Sequence, residues 1–197
     1  MSALEAAAVV LAVLYLVLVI RESAWCWPAA FVGTLLSLVV FLDAKLYMES
    51  ALQVFYAAMA VYGAYQWLYG GDQGKGVAIC VWPWRRHAAV IAAILVLTAA
   101  SGAVLRARTD AAMPFLDSFT TIGALFTTYM VAKKVLENWI YWFVIDSVSI
   151  YLYVSRELFL FAALFVGYLV LIVIGFRAWI RQREGERAAV EIPSGGY

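Results

Sequence analysis

The sequence predicts an all-α integral membrane protein with seven transmembrane helices. Of its 197 residues, 66% are hydrophobic and only 14% are charged, and the mean hydropathy is +0.89. A soluble domain is about 45–50% apolar and about 25% charged, so lipid must solvate most of this chain. The apolar runs are long and continuous, which favours helices over the short alternating strands of a barrel. This composition excludes a cytosolic enzyme, a secreted disulfide scaffold and a free nucleic-acid binder.

Charged, glycine or proline residues separate the seven apolar spans. A helix needs roughly 20 mainly apolar residues to cross a bilayer, and seven such spans leave room only for short loops and a tail. The long linker between the third and fourth spans, 70–86, is polar and rich in glycine, and the tail from Arg181 onward is expected to be disordered. The predicted spans are 4–20, 28–42, 50–68, 88–105, 115–132, 139–154 and 158–180.

An internal repeat divides the chain. Residues 27–67 align with 139–179 at an offset of 112 without gaps, and twelve of the 41 positions are identical. The repeat predicts a three-helix unit in 1–70, a cytoplasmic linker with the fourth helix in 71–113, a second three-helix unit in 114–180 and a tail in 181–197. The fourth crossing keeps both copies in the same orientation, and carriers built from such parallel repeats bind substrate near the bilayer midplane. The identical pairs include Trp27 with Trp139, Tyr56 with Tyr168, Gly63 with Gly175 and Trp67 with Trp179.

The lysines and arginines predict the orientation of the chain. With the N-terminus outside, ten of the fourteen basic residues fall on the cytoplasmic side and four on the outer side. Cytoplasmic loops carry the excess of Lys and Arg. We therefore expect the N-terminus outside and the C-terminus in the cytoplasm of a multi-pass protein of the bacterial inner membrane.

One stripe of the sixth span combines aromatic rings with a carboxylate. Asp146 lies in mid-span, and ionisable groups at that depth are expensive and are functional hypotheses by default. Two indoles beside a carboxylate suit a planar cationic ring through stacking and cation–π attraction. A membrane-interface anchor for Trp139 and a structural hydrogen bond for Asp146 remain alternatives. The stripe consists of Trp139, Trp142, Asp146, Ser149 and Tyr153.

Four further polar or aromatic residues are candidates for substrate contact. Gln53 and Tyr56 share a stripe on the third span, and Asp117 and Thr121 share one on the fifth. An interhelical hydrogen bond for Gln53 and a helix cap for Asp117 stay open as alternatives.

The sequence also lacks the usual signatures of catalysis. Its one histidine and two cysteines form no metal motif, and it contains no phosphate-binding loop and no nucleophilic triad. We therefore expect no enzymatic activity, no cofactor and no resident metal.

Several motifs resemble those of the PnuC family of vitamin transporters. Residues 46–67 resemble that family's pattern LY…LLQVFY…YGWYxW, and 114–118 resemble its FPFWDS. Residues 137–142 are similar to its ENWxxW, and 175–179 to its GxRxW. These matches are distributed along the chain, from the third span to the seventh.

The resemblance implies a carrier with a 3+1+3 topology like that of the SWEET sugar transporters. It implies a homotrimer that takes up nicotinamide riboside by facilitated diffusion, with a cytoplasmic kinase trapping the cargo. It also implies ligand contacts at Trp139, Trp142, Asp146 and Gln53. Asp146 stands where nicotinamide riboside carriers tend to have Asn, and position 116 is Leu where the motif has Trp.

The identity of the cargo and the energy source stay open at this stage. Thiamine is planar and cationic like nicotinamide riboside, so it fits the same stripe. A proton-coupled carrier that uses Asp146 as its titrating group is a second reading. A membrane scaffold or sensor without transport is a third, and it would not need an inward-facing polar stripe.

Overall fold

A computed structural model describes residues 3–43, 47–71, 74–109, 113–155, 157 and 159–191. Within these residues it has seven α-helices, one for each predicted span, and the observed bounds lie within four residues of most predicted ones. The helices are α1 (Ala3–Ile20), α2 (Cys26–Asp43), α3 (Tyr47–Tyr69), α4 (Trp84–Arg108), α5 (Pro114–Ala132), α6 (Asn138–Ser155) and α7 (Phe159–Glu191).

The first compact unit is built from α1, α2 and α3. It holds the described residues of Met1–Ala78 together with Ala132–Lys134 and Arg181–Tyr197. Helix α2 packs against both α1 and α3. At the start of α2 the ring of Trp27 meets the ring of Trp67 edge-on, with centroids 5.6 Å apart and planes at 88°. The same indole lies against Gly63 of α3, where an added Cβ would collide with it. A glycine is therefore required at this helix crossing.

The second unit repeats this contact. It comprises Ile79–Val131 and Val135–Ile180, which include α4, α5, α6 and most of α7. Trp139 at the start of α6 meets Trp179 of α7 edge-on, with centroids 5.4 Å apart and planes at 88°. The Trp139 ring lies against Gly175 in the way that Trp27 lies against Gly63. Both contacts occur at the offset of 112 that the sequence repeat predicts.

The helix ends before α2 and α6 are also equivalent. Glu22 and Lys134 have left-handed backbones, with φ of 49° and 48°. The next residue donates its N–H to a carbonyl five positions back, from Ser23 to Leu18 over 3.0 Å and from Val135 to Met130 over 2.9 Å. This is the Schellman arrangement, in which glycine usually occupies the left-handed position. The repeat therefore extends into the loops.

Helix α7 corrects the prediction for the tail. The composition of Arg181–Tyr197 predicts disorder, but α7 continues without a break to Glu191. Residues 181–191 contain many of the arginine, glutamate and alanine residues that favour helices, and the preceding apolar turns supply the nucleus from which the helix propagates. Residues 192–197 lie outside the described part of the chain.

Helix α4 begins earlier than the apolar pattern suggests. Its first residue is Trp84, directly after Pro83, whose extended backbone forms the N-cap. Arg85, Arg86 and His87 therefore lie in the first turn rather than in a loop. At the other end, Thr109 donates both its backbone N–H and its hydroxyl to the Leu105 carbonyl, over 2.8 and 2.7 Å. Helix α4 belongs to the same compact unit as α5, α6 and most of α7.

The surface of the helices is strongly apolar. By length and composition, two described helices could cross a membrane, Trp84–Arg108 and the part Phe161–Ala188 of α7, and only 17% of either apolar window is buried. Large aliphatic side chains are exposed along both units, among them Val10, Leu35, Val96 and Val170. An apolar surface of this extent is typical of protein that contacts lipid.

Candidate functional site

The predicted site residues fall in both compact units. Gln53 and Tyr56 belong to the first unit, and the six on α5 and α6 belong to the second.

Asp146 has the most unusual environment of the predicted residues. Only 5% of it is exposed, and it makes no hydrogen bond or ion pair to any other residue in the described part of the chain. The hydroxyl of Tyr168 on α7 lies near enough to Asp146 for the two groups to interact electrostatically. Burying a carboxylate without a partner is energetically costly. Binding of a cation or a hydrogen-bond donor beside Asp146 would therefore be favourable.

The two tryptophans of the stripe have different surroundings. Trp139 is 1% exposed and is packed between Trp179 and Gly175, so the structure gives it a role in joining α6 to α7. Its indole Nε1 has no hydrogen-bond acceptor among the described residues. Trp142, one turn further along α6, is half-buried and keeps part of its ring accessible. Contact of either ring with a ligand stays a prediction.

The hydroxyl groups near the stripe are mostly satisfied by their own helices. Ser149 is buried and donates to the Ile145 carbonyl over 3.0 Å. Thr127 and Thr128 on α5 donate to the carbonyls four residues earlier, each over 2.8 Å. Such back-bonding is the usual state of Ser and Thr inside helices. A ligand would have to compete with these bonds to engage Ser149.

The remaining candidates are more accessible. On α5, Asp117 is half-buried in the first turn, and Thr121 is exposed on the surface of its unit. On α3 of the first unit, Gln53 and Tyr56 are both half-buried, and the Tyr56 ring lies 5.9 Å from that of Phe55. Their contact with a ligand stays a prediction.

Tyr168 is a neighbour of Asp146 that the stripe on α6 does not include. It lies on α7 within electrostatic range of Asp146, in a row of rings with Phe165 at 5.3 Å and Tyr153 at 5.0 Å from Phe165. A signal for it was present, because Tyr168 is the repeat partner of the candidate Tyr56. The repeat therefore makes Tyr168 a candidate on the same ground as Tyr56.

Glu137 belongs to a polar network at the start of α6. Its Oε2 accepts a hydrogen bond from the backbone N–H of Trp82 at 3.4 Å and lies 3.8 Å from His87 Nε2. His87 Nδ1 is 3.0 Å from the Tyr141 hydroxyl, and the Leu136 N–H donates to the Cys80 carbonyl over 2.8 Å. These bonds attach the segment before α4 to the start of α6, so Glu137 positions helices. Among the described residues, no group of three or more His, Cys, Asp or Glu side chains is placed to hold a metal ion.

Comparison with solved structures shows the fold. The chain superposes on a protein described as the vitamin B3 transporter PnuC, in a crystal structure, with a TM-score of 0.72. The match covers 92% of this chain and 82% of the other, at 22% sequence identity.

Comparison with curated proteins finds transporters. The chain is 29% identical over 187 residues to the riboflavin/roseoflavin transporter RibM of Streptomyces davaonensis, covering 92% of this chain and 87% of RibM. It is 23% identical over 180 residues to the nicotinamide riboside transporter PnuC of Escherichia coli, covering 76% and 74% respectively. The family model described as "Nicotinamide mononucleotide transporter" matches residues 2–181. The chain therefore belongs to the nicotinamide mononucleotide transporter family.

Proposed function

We propose that this chain carries a planar vitamin across the inner membrane, with the cationic nicotinamide riboside as the first candidate. The observation that carries this choice is Asp146, a carboxylate that is 5% exposed and unpaired among the described residues. The pyridinium ring of nicotinamide riboside is a cation, so it would supply the missing counter-charge. Thiamine is also cationic and is the alternative on the same ground.

Riboflavin is the second candidate. Its support is the similarity to RibM, which is higher in identity and coverage than that to the Escherichia coli nicotinamide riboside transporter. Riboflavin has a planar heteroaromatic ring and a five-carbon polyol but no positive charge. Stacking on Trp142 serves both cargoes, whereas the charge of Asp146 favours only the cation.

A stability assay with ligands separates the candidates. The purified full chain is melted with nicotinamide riboside, thiamine or riboflavin, since a ligand at 100 times its Kd adds about 2.7 kcal/mol of stability. We expect nicotinamide riboside to raise the melting temperature of the wild type and to have a smaller effect on Asp146→Asn. Asp43→Asn, the same change at an exposed position near the end of α2, is the control and should respond like the wild type.

The outcome identifies the cargo or rejects the proposal. Stabilisation by riboflavin alone, equal in wild type and Asp146→Asn, would select the second candidate. A larger response to thiamine than to nicotinamide riboside would select that cation. If none of the three vitamins stabilises the wild type, the proposed cargo class is wrong.

The proposal includes passive transport, trapping and assembly. The carrier equilibrates its cargo without an ion gradient, a cytoplasmic kinase then phosphorylates the cargo, and the protein assembles as a homotrimer. A proton-coupled carrier that titrates Asp146 is the alternative mechanism, and a membrane scaffold without transport is the third reading. Light scattering of the purified protein measures the number of chains per particle, and a mass other than three chains would contradict the trimer.

The proposed orientation places the N-terminus outside and the C-terminus in the cytoplasm. It rests on the ten-to-four distribution of basic residues. A green fluorescent reporter fused after Tyr197 should fluoresce, because it folds in the cytoplasm, and a periplasmic phosphatase reporter at the same place should be inactive. The reverse pattern would contradict the orientation.

A further inference from the structure

An open apolar groove runs along the surface between α6 and α7 of the second unit. Its volume is about 560 Å³, and most of its side chains are aliphatic or aromatic. Ile140, Phe143 and Val173 are exposed along it. The full lining is Trp139, Ile140, Phe143, Ile172, Val173, Phe176, Arg177 and Ile180.

The groove has one charged residue, and it lies at one end. Arg177 is the first charged residue of α7, eighteen positions after Phe159, which is about 27 Å along a helix axis. The hydrocarbon core of a bilayer is about 30 Å thick, so Arg177 lies near its boundary. The Trp139–Trp179 contact places the start of α6 at the same level. Ile140, Phe143 and Val173 therefore extend from that level toward the membrane interior.

Arg177 is available to bind an anion. Its side chain is exposed, and within the described part of the chain it has no ion pair or hydrogen bond to a side chain or carbonyl. A guanidinium presents five N–H donors in a fork that matches phosphate. A cation at the headgroup level beside an apolar groove is complementary to an amphipathic anion, which the bilayer itself can supply.

We propose that the α6–α7 groove binds an anionic phospholipid, with its phosphate against Arg177 and an acyl chain along Ile140, Phe143 and Val173. The charge of Arg177 selects anionic over zwitterionic headgroups, as basic sites beside transmembrane helices commonly do. The groove occupied by the acyl chain supplies the apolar part of the binding free energy. This site lies on the membrane-facing surface of the second unit and does not involve Asp146.

Native mass spectrometry of the full chain with phosphatidylglycerol or phosphatidylcholine tests the site. Arg177→Gln should lower the bound fraction of phosphatidylglycerol about fivefold, since one basic residue near the headgroups contributes roughly that factor. Arg187→Gln removes the same charge from an exposed position ten residues further along α7 and should have little effect. Arg177→Lys keeps the charge and should retain most of the binding. Val173→Trp should obstruct the acyl channel and reduce the binding of phosphatidylglycerol even though Arg177 is intact.

Each further outcome decides the proposal. Equal loss of phosphatidylglycerol in Arg177→Gln and Arg187→Gln would show unspecific attraction to basic residues and overturn it. If Val173→Trp dissociates the oligomer and leaves lipid binding unchanged, the groove is an interface between copies of the chain and the proposal is wrong. Because the readout is bound lipid mass, failure of vitamin transport would not affect this test.

Discussion

Glu22 and Lys134 occupy the same place in the two sequence repeats, 112 positions apart, and form an ion pair with each other. Lys134 Nζ lies 2.9 Å from Glu22 Oε2, and the exposed fractions of the two side chains are 12% and 6% for Lys134 and Glu22. The ammonium also lies 4.7 Å from the centre of the Trp67 ring. Both residues adopt the left-handed backbone that caps a Schellman turn. The two repeat-related corners therefore share a backbone conformation and carry opposite charges.

The first prediction concerns this ion pair. Lys134→Gln should lower the free energy of unfolding by about 3 kcal/mol, because removal of one partner from a buried pair leaves the other charge uncompensated. Thermal unfolding in detergent measures the loss. The double variant Glu22→Lys with Lys134→Glu, which reverses the pair, should recover much of the stability.

Lys75 provides the matched control, because it is an exposed lysine in a loop. Lys75→Gln should change the free energy of unfolding by no more than about 0.5 kcal/mol, as for ordinary surface substitutions. A reversed pair that is as unstable as Lys134→Gln would show that the attraction between the two charges contributes little.

The second prediction concerns the two glycines beneath the tryptophans. In Gly63→Ala and Gly175→Ala, the new methyl group would collide with the ring of Trp27 or Trp139. Each change should destabilise the protein by about 1–3 kcal/mol through overpacking. Gly167→Ala on α7 is the control because nothing lies within 4 Å of its added Cβ. It should be neutral or slightly stabilising, since Ala favours helix over Gly. Equal effects at Gly175 and Gly167 would contradict the packing argument.

The third prediction concerns Trp142. Trp142→Ala should weaken binding of the vitamin that the stability assay identifies by roughly 1–3 kcal/mol, the range for a ring that stacks on an aromatic side chain. Isothermal titration calorimetry gives the affinity. Trp84→Ala is the control because this indole is 75% exposed at the start of α4. Unchanged affinity in a folded Trp142→Ala protein would remove Trp142 from the proposed site.

The fourth prediction concerns energy coupling. Proteoliposomes preloaded with unlabelled cargo should take up labelled cargo without a sodium or proton gradient, because a uniporter needs only exchange across its own site. Empty liposomes should reach equal concentrations inside and outside and go no further. Accumulation above that level on imposing a pH gradient would instead support the proton-coupled alternative.

Most of the fold follows from hydropathy because lipid leaves the backbone few choices. Each backbone polar group must be satisfied within its own segment, so an apolar run of sufficient length becomes a helix. The runs before Arg21-Glu22 and before Lys133-Lys134 accordingly end within two residues of the observed helix ends. The exception is α7, where the lipid criterion stops near Ile180 but helix propagation continues to Glu191. The hydropathy pattern marks where the chain leaves the membrane, and a helix can continue beyond that point.

The candidate site was less predictable, because a helical stripe specifies direction but not neighbours. Asp146 lies on the predicted face and is buried there. Trp139 shares that face, but its ring packs against Trp179 and Gly175 of α7. The periodicity of α6 alone cannot predict a contact with another helix. The repeat would have revealed it, since Trp27 contacts Trp67 and Gly63 by the same rule.

The indole-on-glycine contact also determines which parts of the chain can deform. With no space between Trp27 and Gly63, or between Trp139 and Gly175, α2 cannot slide along α3, nor α6 along α7, without breaking a close-packed crossing. Each helix pair is therefore held in one register by an indole that fits against a glycine of the neighbouring helix, and a side chain at either glycine would force the two helices apart.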